Sequence, residues 1–434
     1  MFLTALLAAF ALVPAPPSGI EDYLRREQAG LRIPGLAYAV VSPHGVIEQG
    51  AWGVGTGTPF LIGSVSKPIT AQAVMRLVES GRVDLDDPVR RHVPWFDLAD
   101  DDAAARITVR HLLTHTSGLA QWASRTDRFD NSADGLARSV RDLAGVEPAR
   151  PPGTAHEYSD ANYMVLGALV ETVSGKPYGE FLRSEIFQPL GMTHAAATEA
   201  DAERVGLPAG HRYWFGHPRP FDRGYDTSGV PYGYVAASLD DMARFARDHL
   251  GGRHSEMHTG QTAGGYGLGW RDTRTDGTRT VWHAGATPGF FAHVVLLPDA
   301  DLAVVVLADS YSLARDGALT GLGFNVARMI QGKAVQPAGG DPLFGLTLLV
   351  LVVVAVLLVA LLVRPVASVL AVVGCLGLAG AVTLGLPVLL GGDLGLALLW
   401  APDLGWAAVV VAILAILAAA RIAHHRVRRA VSRS

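Results

Sequence analysis

The sequence predicts an α/β domain of the α+β type over residues 18–333, followed by about three transmembrane helices within residues 343–420. Runs typical of strands lie near both ends of the domain, and helical periods fill its middle. This arrangement indicates one sheet built from both ends, with an inserted helical subdomain. The apolar runs after the domain are long enough to cross a hydrocarbon core of about 30 Å.

The first elements follow from local patterns. Residues 20–28 have a helical pattern, and residues 35–41 and 45–52 are typical of two strands paired across a turn rich in turn-forming residues. A third pattern begins at Ser64, where apolar residues recur at helical spacing. The sequence therefore predicts a helix, a hairpin and a second helix in that order.

The rest of the domain divides into a helical middle and a strand-rich end. Helices are predicted at residues 109–113, 161–174, 178–186 and 239–250. Strands are predicted at residues 266–270, 280–283, 290–297 and 302–308, and a helix near residues 319–330 closes the domain.

The C-terminal part has the composition of a membrane segment. After a short linker at residues 334–342, apolar runs cover residues 343–363, 366–390 and 404–420. Arg364 lies in the first connection and a basic tail follows at 421–434, whereas Asp393 and Asp403 lie in the second connection. Basic flanks mark the cytoplasmic side of a membrane. We therefore expect a multi-pass protein of the cell membrane, with the tail inside and the domain on the outer face.

The N-terminus agrees with this orientation. Residues 2–13 are apolar and are followed by proline and small residues, which is typical of a signal peptide over residues 1–17. A positively charged start is missing, so an uncleaved anchor is the alternative and cleavage is the favoured interpretation.

Charge and cysteine content exclude other classes. The formal net charge is −4 with no basic patch outside the tail, which gives no support for nucleic-acid binding. The tail is expected to contact membrane lipid headgroups. The single cysteine, Cys375, lies in the second apolar run, so the domain has no disulfide and depends on core packing.

The best evidence of chemistry is the pair Ser64 and Lys67. Residues three apart share one helix face, with β-carbons about 5–6 Å apart, so the hydroxyl and the amine can exchange a proton. A serine needs such a base to become a good nucleophile. The spacing alone is also compatible with a helix N-cap followed by a solvated lysine.

Two histidines have metal-like spacing. His111 and His115 lie four residues apart, but no glutamate follows His111 as in the His-Glu-x-x-His pattern of zinc sites. We interpret both as structural and predict neither a metal nor a cofactor.

Further motifs accompany the Ser64 pair in a fixed order. They are SVSKPITA at 64–71, HLLTHTSGL at 111–119, PGTAHEYSD at 152–160 with NYMVLG at 162–167, YGLGW at 266–270, WHAG at 282–285 and TPGF at 287–290. Together they resemble the serine β-lactamase-like superfamily, most of all its class C branch with the related D-aminopeptidases, DD-carboxypeptidases and esterases. The resemblance implies a β-lactamase/transpeptidase-like antiparallel sheet flanked by helices.

The resemblance also implies roles for site residues. Ser64 is the acylated nucleophile, Lys67 its proton acceptor or electrostatic partner, and Tyr158 the second base and leaving-group acid. We expect a nearby ammonium to lower the pKa of the Tyr158 phenol. The backbone N–H of Ala286 pairs with that of Ser64 as the oxyanion hole, and Gly285 permits close approach of a substrate.

Two positions depart from the strict β-lactamase pattern. Asp160 stands where many relatives carry asparagine, so we expect its carboxylate to pair with Lys67. His283 stands where β-lactamases have a lysine, so a permanent cation for a substrate carboxylate is replaced by a group that is mostly neutral at pH 7. We therefore expect poor β-lactam turnover compared with small uncharged esters or peptides that bear a free amine.

These observations predict a membrane-tethered, extracytoplasmic serine hydrolase. It would act through an acyl-enzyme on a small-molecule or peptide substrate, namely an ester, an amide or a D-amino-acid peptide. The alternative is a non-turnover penicillin-binding or peptidoglycan sensor that signals through its membrane helices.

Overall fold

The computed structural model describes residues 19–432 except 122, 124, 125, 338, 340, 367 and 390–392. The predicted signal peptide at residues 1–17 therefore lies outside the described residues.

The described residues contain strands from both ends of the domain and helices from its middle and from the C-terminal segment. The strands are β1 Leu36–Ser42, β2 Gly45–Trp52, β3 Pro59–Leu61, β4 Gly210–Trp214, β5 His217–Phe221, β6 Ala236–Ser238, β7 Arg271–Thr275, β8 Thr278–Thr287, β9 Phe290–Leu297, β10 Leu302–Ala308 and β11 Ser310–Tyr311. The helices of the domain are α1 Ile20–Leu31, α2 Ser66–Glu79, α3 Val89–His92, α4 Asp101–Arg106, α5 Val109–Leu113, α6 Gly135–Arg141, α7 Asp160–Ser174, α8 Tyr178–Leu182, α9 Gln188–Leu190, α10 Glu199–Val205, α11 Leu239–Asp248, α12 Ser255–His258 and α13 Asp316–Met329. The C-terminal helices are α14 Pro342–Val363, α15 Val369–Gly380, α16 Leu386–Leu389, α17 Leu394–Trp400 and α18 Pro402–Val431.

The main sheet has six strands in the order β2-β1-β10-β9-β8-β7. Each neighbouring pair is antiparallel, and the register pairs Val40 of β1 with Val304 of β10. Strand β1 comes from the start of the domain and β10 from its end. The prediction of one antiparallel sheet built from both ends, with helices inserted between them, is therefore confirmed.

Successive strand residues point to opposite faces of the sheet, and in the central strands β1, β10 and β9 both faces are buried. Ala37, Ala39 and Val41 belong to the larger core, which includes α2, α7 and α11. Tyr38 and Val40 belong to a second core formed with α1 and α13. The sheet is thus the middle layer between two groups of helices, and the larger core holds the inserted helices.

Two local predictions differ from the structure. Residues 266–270 are not a strand: Tyr266 forms one isolated bridge with Arg271, and Gly265 and Gly269 have positive φ, which interrupts an extended run. The hairpin of β4 and β5 was not predicted, because β5 contains Pro218 and Pro220 and proline argues against a strand except at a sheet edge. Strand β5 is such an edge strand, next to β4.

The C-terminal segment contains two helices that are long and apolar enough to cross a membrane, Pro342–Val363 and Pro402–Arg429. The prediction of three long spans is therefore supported only in part. The middle run forms a shorter apolar helix, Val369–Gly385, whose last turn, Ala381–Gly385, is π-helical and leads directly into α16. The last helix does not end at residue 420 but continues through most of the basic tail to Val431, because Arg and His residues do not interrupt a helix.

Helix α17 contacts the domain. The Arg212 guanidinium donates hydrogen bonds to the carbonyls of Leu398 and Leu399, at 3.1 and 2.8 Å, near the C-terminal end of α17. Trp400 packs edge-on against Tyr311, with ring centroids 5.8 Å apart. The connection between α17 and α18 is therefore held against β4 and β11, two strands of the three-stranded sheet β11-β4-β5.

A buried amide fixes the linker at residues 334–342. Asn325 of α13 is 3% exposed, donates to Tyr23 of α1 and to the carbonyl of Gln336, and accepts from the Gln336 N–H, each at 2.8 Å. We predict that Asn325→Ala lowers the free energy of unfolding by about 2–3 kcal/mol, because buried partners lose their hydrogen bonds. Thermal unfolding of the full chain in detergent measures this change.

The matched control is Asn131→Ala. Asn131 is exposed, and its amide bonds to Glu199 and to the Thr227 N–H at 2.8 Å each. Water replaces these hydrogen bonds in the variant, so we expect the free energy of unfolding to fall by less than about 1 kcal/mol. Equal losses for the two variants would contradict the structural role given to Asn325.

Candidate active site

The candidate nucleophile lies in a tight turn against β8. Residues Gly63–Val65 form a 3-10 turn immediately before α2, and Gly63 has φ of 54°, a conformation that favours glycine. A β-carbon on Gly63 would lie 2.2 Å from the backbone nitrogen of Ala286. A β-carbon on Gly285 would lie 2.1 Å from the Ile62 carbonyl oxygen and 2.5 Å from the Ser64 nitrogen. Glycine at both positions therefore allows the turn and the strand to touch.

This contact brings the predicted oxyanion donors to one place. Ser64 and Ala286 line the same cavity of about 70 Å³, together with Asp160 and Thr287. The sequence predicts that Gly285 makes room for a substrate. The structure gives an additional reason for glycine there, because any side chain would push the strand away from the nucleophile turn.

Lys67 is completely buried beside Ser64. Its ammonium donates to the Ser64 hydroxyl at 3.0 Å and to the Tyr232 carbonyl at 2.8 Å, and it forms an ion pair with Asp160 at 2.6 Å. The alternative of a solvated lysine is therefore wrong. The predicted pair of Asp160 and Lys67 is present in the structure.

Asp160 is positioned by the helix that it begins. It is the first residue of α7, where the N-terminal end of the helix dipole favours a carboxylate. Its side chain is 28% exposed, in contrast to that of Lys67, and it lines the cavity. The ion pair therefore has one end in the core and the other at the cavity wall.

Tyr158 differs from the expectation for its titration. Its ring lies 4.8 Å from the Lys67 nitrogen, but burial and the Asp160 carboxylate raise the pKa of the Tyr158 phenol far above its usual value. A hydrogen bond with Ser64 acts in the opposite direction and is the smaller effect. The expected lowering of this pKa by the lysine ammonium is not observed, and Tyr158 holds its proton at neutral pH.

His115 positions the loop that carries Tyr158. Its carbonyl accepts from the Glu157 N–H at 2.8 Å and its Nδ1 accepts from the Ser159 N–H at 3.1 Å, so it holds the residues on both sides of Tyr158. Asn162 is 3.0 Å from the same Nδ1. Burial and the nearby Lys67 lower the pKa of His115 well below its usual value, so the ring is a neutral acceptor. His115 therefore has a structural role, which is to hold the loop on both sides of Tyr158.

The other predicted histidine has a local role. His111 forms a capping box with Thr108 at the start of α5. Among the described residues, no group of three or more His, Cys, Asp and Glu side chains is arranged to hold a metal ion.

His283 is buried and neutral. It is 2% exposed, its Nδ1 donates to the Ala284 carbonyl at 2.8 Å, and its Nε2 accepts from the Tyr266 hydroxyl at 3.1 Å. Burial, with Arg271 and Lys67 nearby, lowers the pKa of His283 well below its usual value. His283 therefore does not provide a cation at the site.

Arg271 was missed by the sequence analysis and provides a permanent cation. Its guanidinium carbon lies 5.6 Å from the Tyr158 ring, 5.5 Å from the Tyr266 ring and 5.3 Å from the Trp282 ring. Within the part of the chain that the structure describes, no ion pair is formed by Arg271. Its position directly after the YGLGW motif was the available signal.

Two further cavity residues were also missed. Thr287 is 1% exposed, and its hydroxyl has no hydrogen-bond partner among the described residues. Trp400 comes from α17, outside the domain, and its indole N–H donates to the Asp127 carboxylate at 2.9 Å. Asp127 also accepts from the Tyr234 hydroxyl at 2.6 Å, so Trp400 is anchored to the cavity wall. No local sequence signal connects Trp400 with Ser64.

Similar proteins are found among penicillin-binding proteins and their homologues. The chain is 32% identical over 322 residues to penicillin-binding protein 4 of Amycolatopsis lactamdurans, covering 66% of this chain and 83% of that protein. It is 26% identical over 265 residues to protein flp of Staphylococcus aureus strain N315, covering 58% of this chain. The match spans about half of protein flp, 53% of its length.

Solved structures show the same fold. The octameric penicillin-binding protein homologue from Pyrococcus abyssi superposes with a TM-score of 0.61 at 22% identity, covering 76% of this chain and 80% of that one. A structure of SurE superposes with a TM-score of 0.59 at 23% identity, covering 74% and 78%. Residues 20–323 match the Beta-lactamase family, and the chain therefore belongs to that family, with a serine-hydrolase-like domain and apolar helices at its C-terminal end.

Proposed function

We propose that the protein is a membrane-tethered serine hydrolase that acts on an ester, amide or D-amino-acid peptide through an acyl-enzyme at Ser64. The observation that carries this proposal is the contact of 3.0 Å from the buried Lys67 ammonium nitrogen to the Ser64 hydroxyl. In its amine form Lys67 accepts the Ser64 proton, and in its ammonium form it stabilises the charge of the developing alkoxide.

The surrounding groups support two chemical steps. Ser64 attacks the substrate carbonyl while its hydroxyl proton passes to Lys67, which has given one proton to its partner Asp160, and the backbone N–H groups of Ser64 and Ala286 stabilise the oxyanion that forms. Tyr158 holds its proton at neutral pH, so it donates that proton to the leaving group and becomes a phenolate. After release, water takes the place of the leaving group; the Tyr158 phenolate removes a proton from this water, and Lys67 returns a proton to Ser64 as the acyl-enzyme is hydrolysed. Tyr158 thus acts first as acid and then as base.

Arg271 and Asp160 support an assignment of substrate class. Asp160 is paired with Lys67, so its charge is compensated, while Arg271 stands beside Tyr158 with a permanent charge. We infer that a substrate carboxylate lies toward Arg271 instead of His283. An efficient β-lactamase remains the less favoured assignment, because Asp160 takes the position of the asparagine amide.

The membrane topology is also a proposal. Helix α14 leaves the domain and α17 contacts it again, so a chain that crosses with α14 must return before α18. From Val369 to Leu389 the helical run covers roughly 30 Å at about 1.5 Å per residue, which matches a hydrocarbon core. This supports three crossings, with the domain and α17 on the outer face.

The first prediction concerns the nucleophile. A fluorophosphonate probe should label the wild-type protein, and Ser64→Ala should abolish that labelling, because the probe reacts with an activated serine. Ser80→Ala, at the exposed end of the same helix, is the matched control and should be labelled like wild type. Labelling of Ser64→Ala equal to wild type would contradict the proposal.

The second prediction concerns Arg271. The ratio of kcat/KM for mono-p-nitrophenyl succinate to that for p-nitrophenyl butyrate should fall roughly tenfold or more in Arg271→Ala, the effect of a lost charged hydrogen bond. The ratio should not depend on pH between about 6 and 8, because burial lowers the pKa of His283 well below its usual value and the succinate carboxylate is ionised throughout that range.

Arg274→Ala is the control for this measurement. Arg274 lies on the same strand and is exposed, so its loss should leave the ratio unchanged. A ratio that rises as pH falls through about 6.5, the ordinary imidazole pKa, would instead assign the carboxylate to His283.

The third prediction concerns orientation. Alkaline phosphatase fused after Ser434 should be inactive and a fluorescent protein fused there should be bright, because the basic tail stays inside. The reverse result would indicate an even number of crossings.

The sensor alternative is separated by kinetics. Its supporting observation is the hydrogen bond between Trp400 and Asp127, which links the cavity wall to the C-terminal helices. A stoichiometric adduct at Ser64 without steady-state turnover of any ester or peptide would favour the sensor over the hydrolase.

A further inference from the structure

A second cavity lies between the domain and the C-terminal helices. It has a volume of about 510 Å³, within the range of small-molecule sites, roughly 300–1,000 Å³. From the helices it is lined by Leu384, Val388, Leu394, Leu396 and Leu399, and we call it the acyl groove.

The acyl groove adjoins the cavity of Ser64. Thr126 and Asp127 line both spaces, and Trp400 lies at the Ser64 side of this shared wall. The Asp127 carboxylate accepts a hydrogen bond from the Trp400 indole at 2.9 Å and another from the Tyr234 hydroxyl at 2.6 Å. These two donors stabilise the carboxylate within the shared wall. The two spaces are therefore neighbours that share one wall, at which Trp400 lies.

The lining determines what kind of ligand fits. Leu384 and Val388 are 71% and 70% exposed, so their apolar side chains are open to lipid as well as to the groove. Arg223, Asp393 and Thr383 are polar residues of the lining, while the Ser64 cavity holds the ion pair and the oxyanion donors. Covering apolar surface with an apolar group lowers the free energy of the complex, because that surface is removed from water.

We propose that the substrate is amphiphilic: its scissile carbonyl lies at Ser64 and its alkyl or acyl chain lies in the acyl groove, with Trp400 as the residue between the two parts. The C-terminal helices then form part of the substrate site as well as the tether. This inference rests on the proposed hydrolase function and assigns its substrate class.

Chain-length preference of the full chain in lipid nanodiscs tests the proposal. The ratio of kcat/KM for p-nitrophenyl octanoate to that for p-nitrophenyl acetate should exceed ten for wild type, because the longer chain buries more methylenes. Leu384→Trp and Val388→Trp place a large side chain at the groove and should each lower the ratio about tenfold.

Leu370→Trp is the matched control. Leu370 is 82% exposed on α15 and is not part of the groove lining, so this variant shares the added bulk and the lipid environment. Its ratio should equal that of wild type. A wild-type ratio near one, groove variants that behave like wild type, or an equal fall in Leu370→Trp would each overturn the proposal.

A binding measurement separates this proposal from the proposed hydrolase function. An octanoyl amide with a terminal diazirine should crosslink Ser64→Ala protein at residues 383–399, and octanoate should compete. Crosslinks confined to α14 would overturn the acyl groove. If Ser64→Ala retains full ester turnover, the hydrolase function fails at Ser64, while the crosslinked position still reports whether the groove holds an alkyl chain.

Discussion

Lys67 is fully buried, and its ammonium joins three separate parts of the chain. It lies on α2, pairs with Asp160 at the start of α7, and donates to the carbonyl of Tyr232 in a π-helical turn. A buried charge is costly unless it is paired and hydrogen-bonded, so these three elements must meet where they do. The position of Ser64, one helical turn away, follows from this constraint.

The groups around this pair are mostly neutral. Burial raises the pKa of Tyr158 and lowers the pKa of His115 and His283, so phenol and imidazoles stay uncharged near neutral pH. In such surroundings the Lys67 ion pair and the Arg271 guanidinium act with little screening by water. Among the described residues, the site therefore combines the compensated pair of Lys67 and Asp160 with the positive charge of Arg271, which lies over aromatic rings.

Part of the candidate site could be predicted from the sequence, because some of its residues lie in short local motifs. Ser64 and Lys67 share a helix face by their spacing, and the Asp160 pair followed from charge. The titration of Tyr158 was not predicted correctly, since it depends on how deeply the ring is buried and on the nearby Asp160 carboxylate. Arg271 was missed because its partners, three aromatic rings, come from different segments.

Sequence alone predicted the antiparallel sheet built from both ends and the proximity of Ser64 and Lys67, because hydrophobic period and residue spacing are local properties. Only the tertiary structure decided the contact between Gly63 and β8, the neutral state of His283 and the placement of Trp400 in the wall of the Ser64 cavity. Each of these features depends on residues that are far apart in the chain and close together in space. Burial and electrostatic interactions depend on distance in space, so local sequence patterns do not predict them.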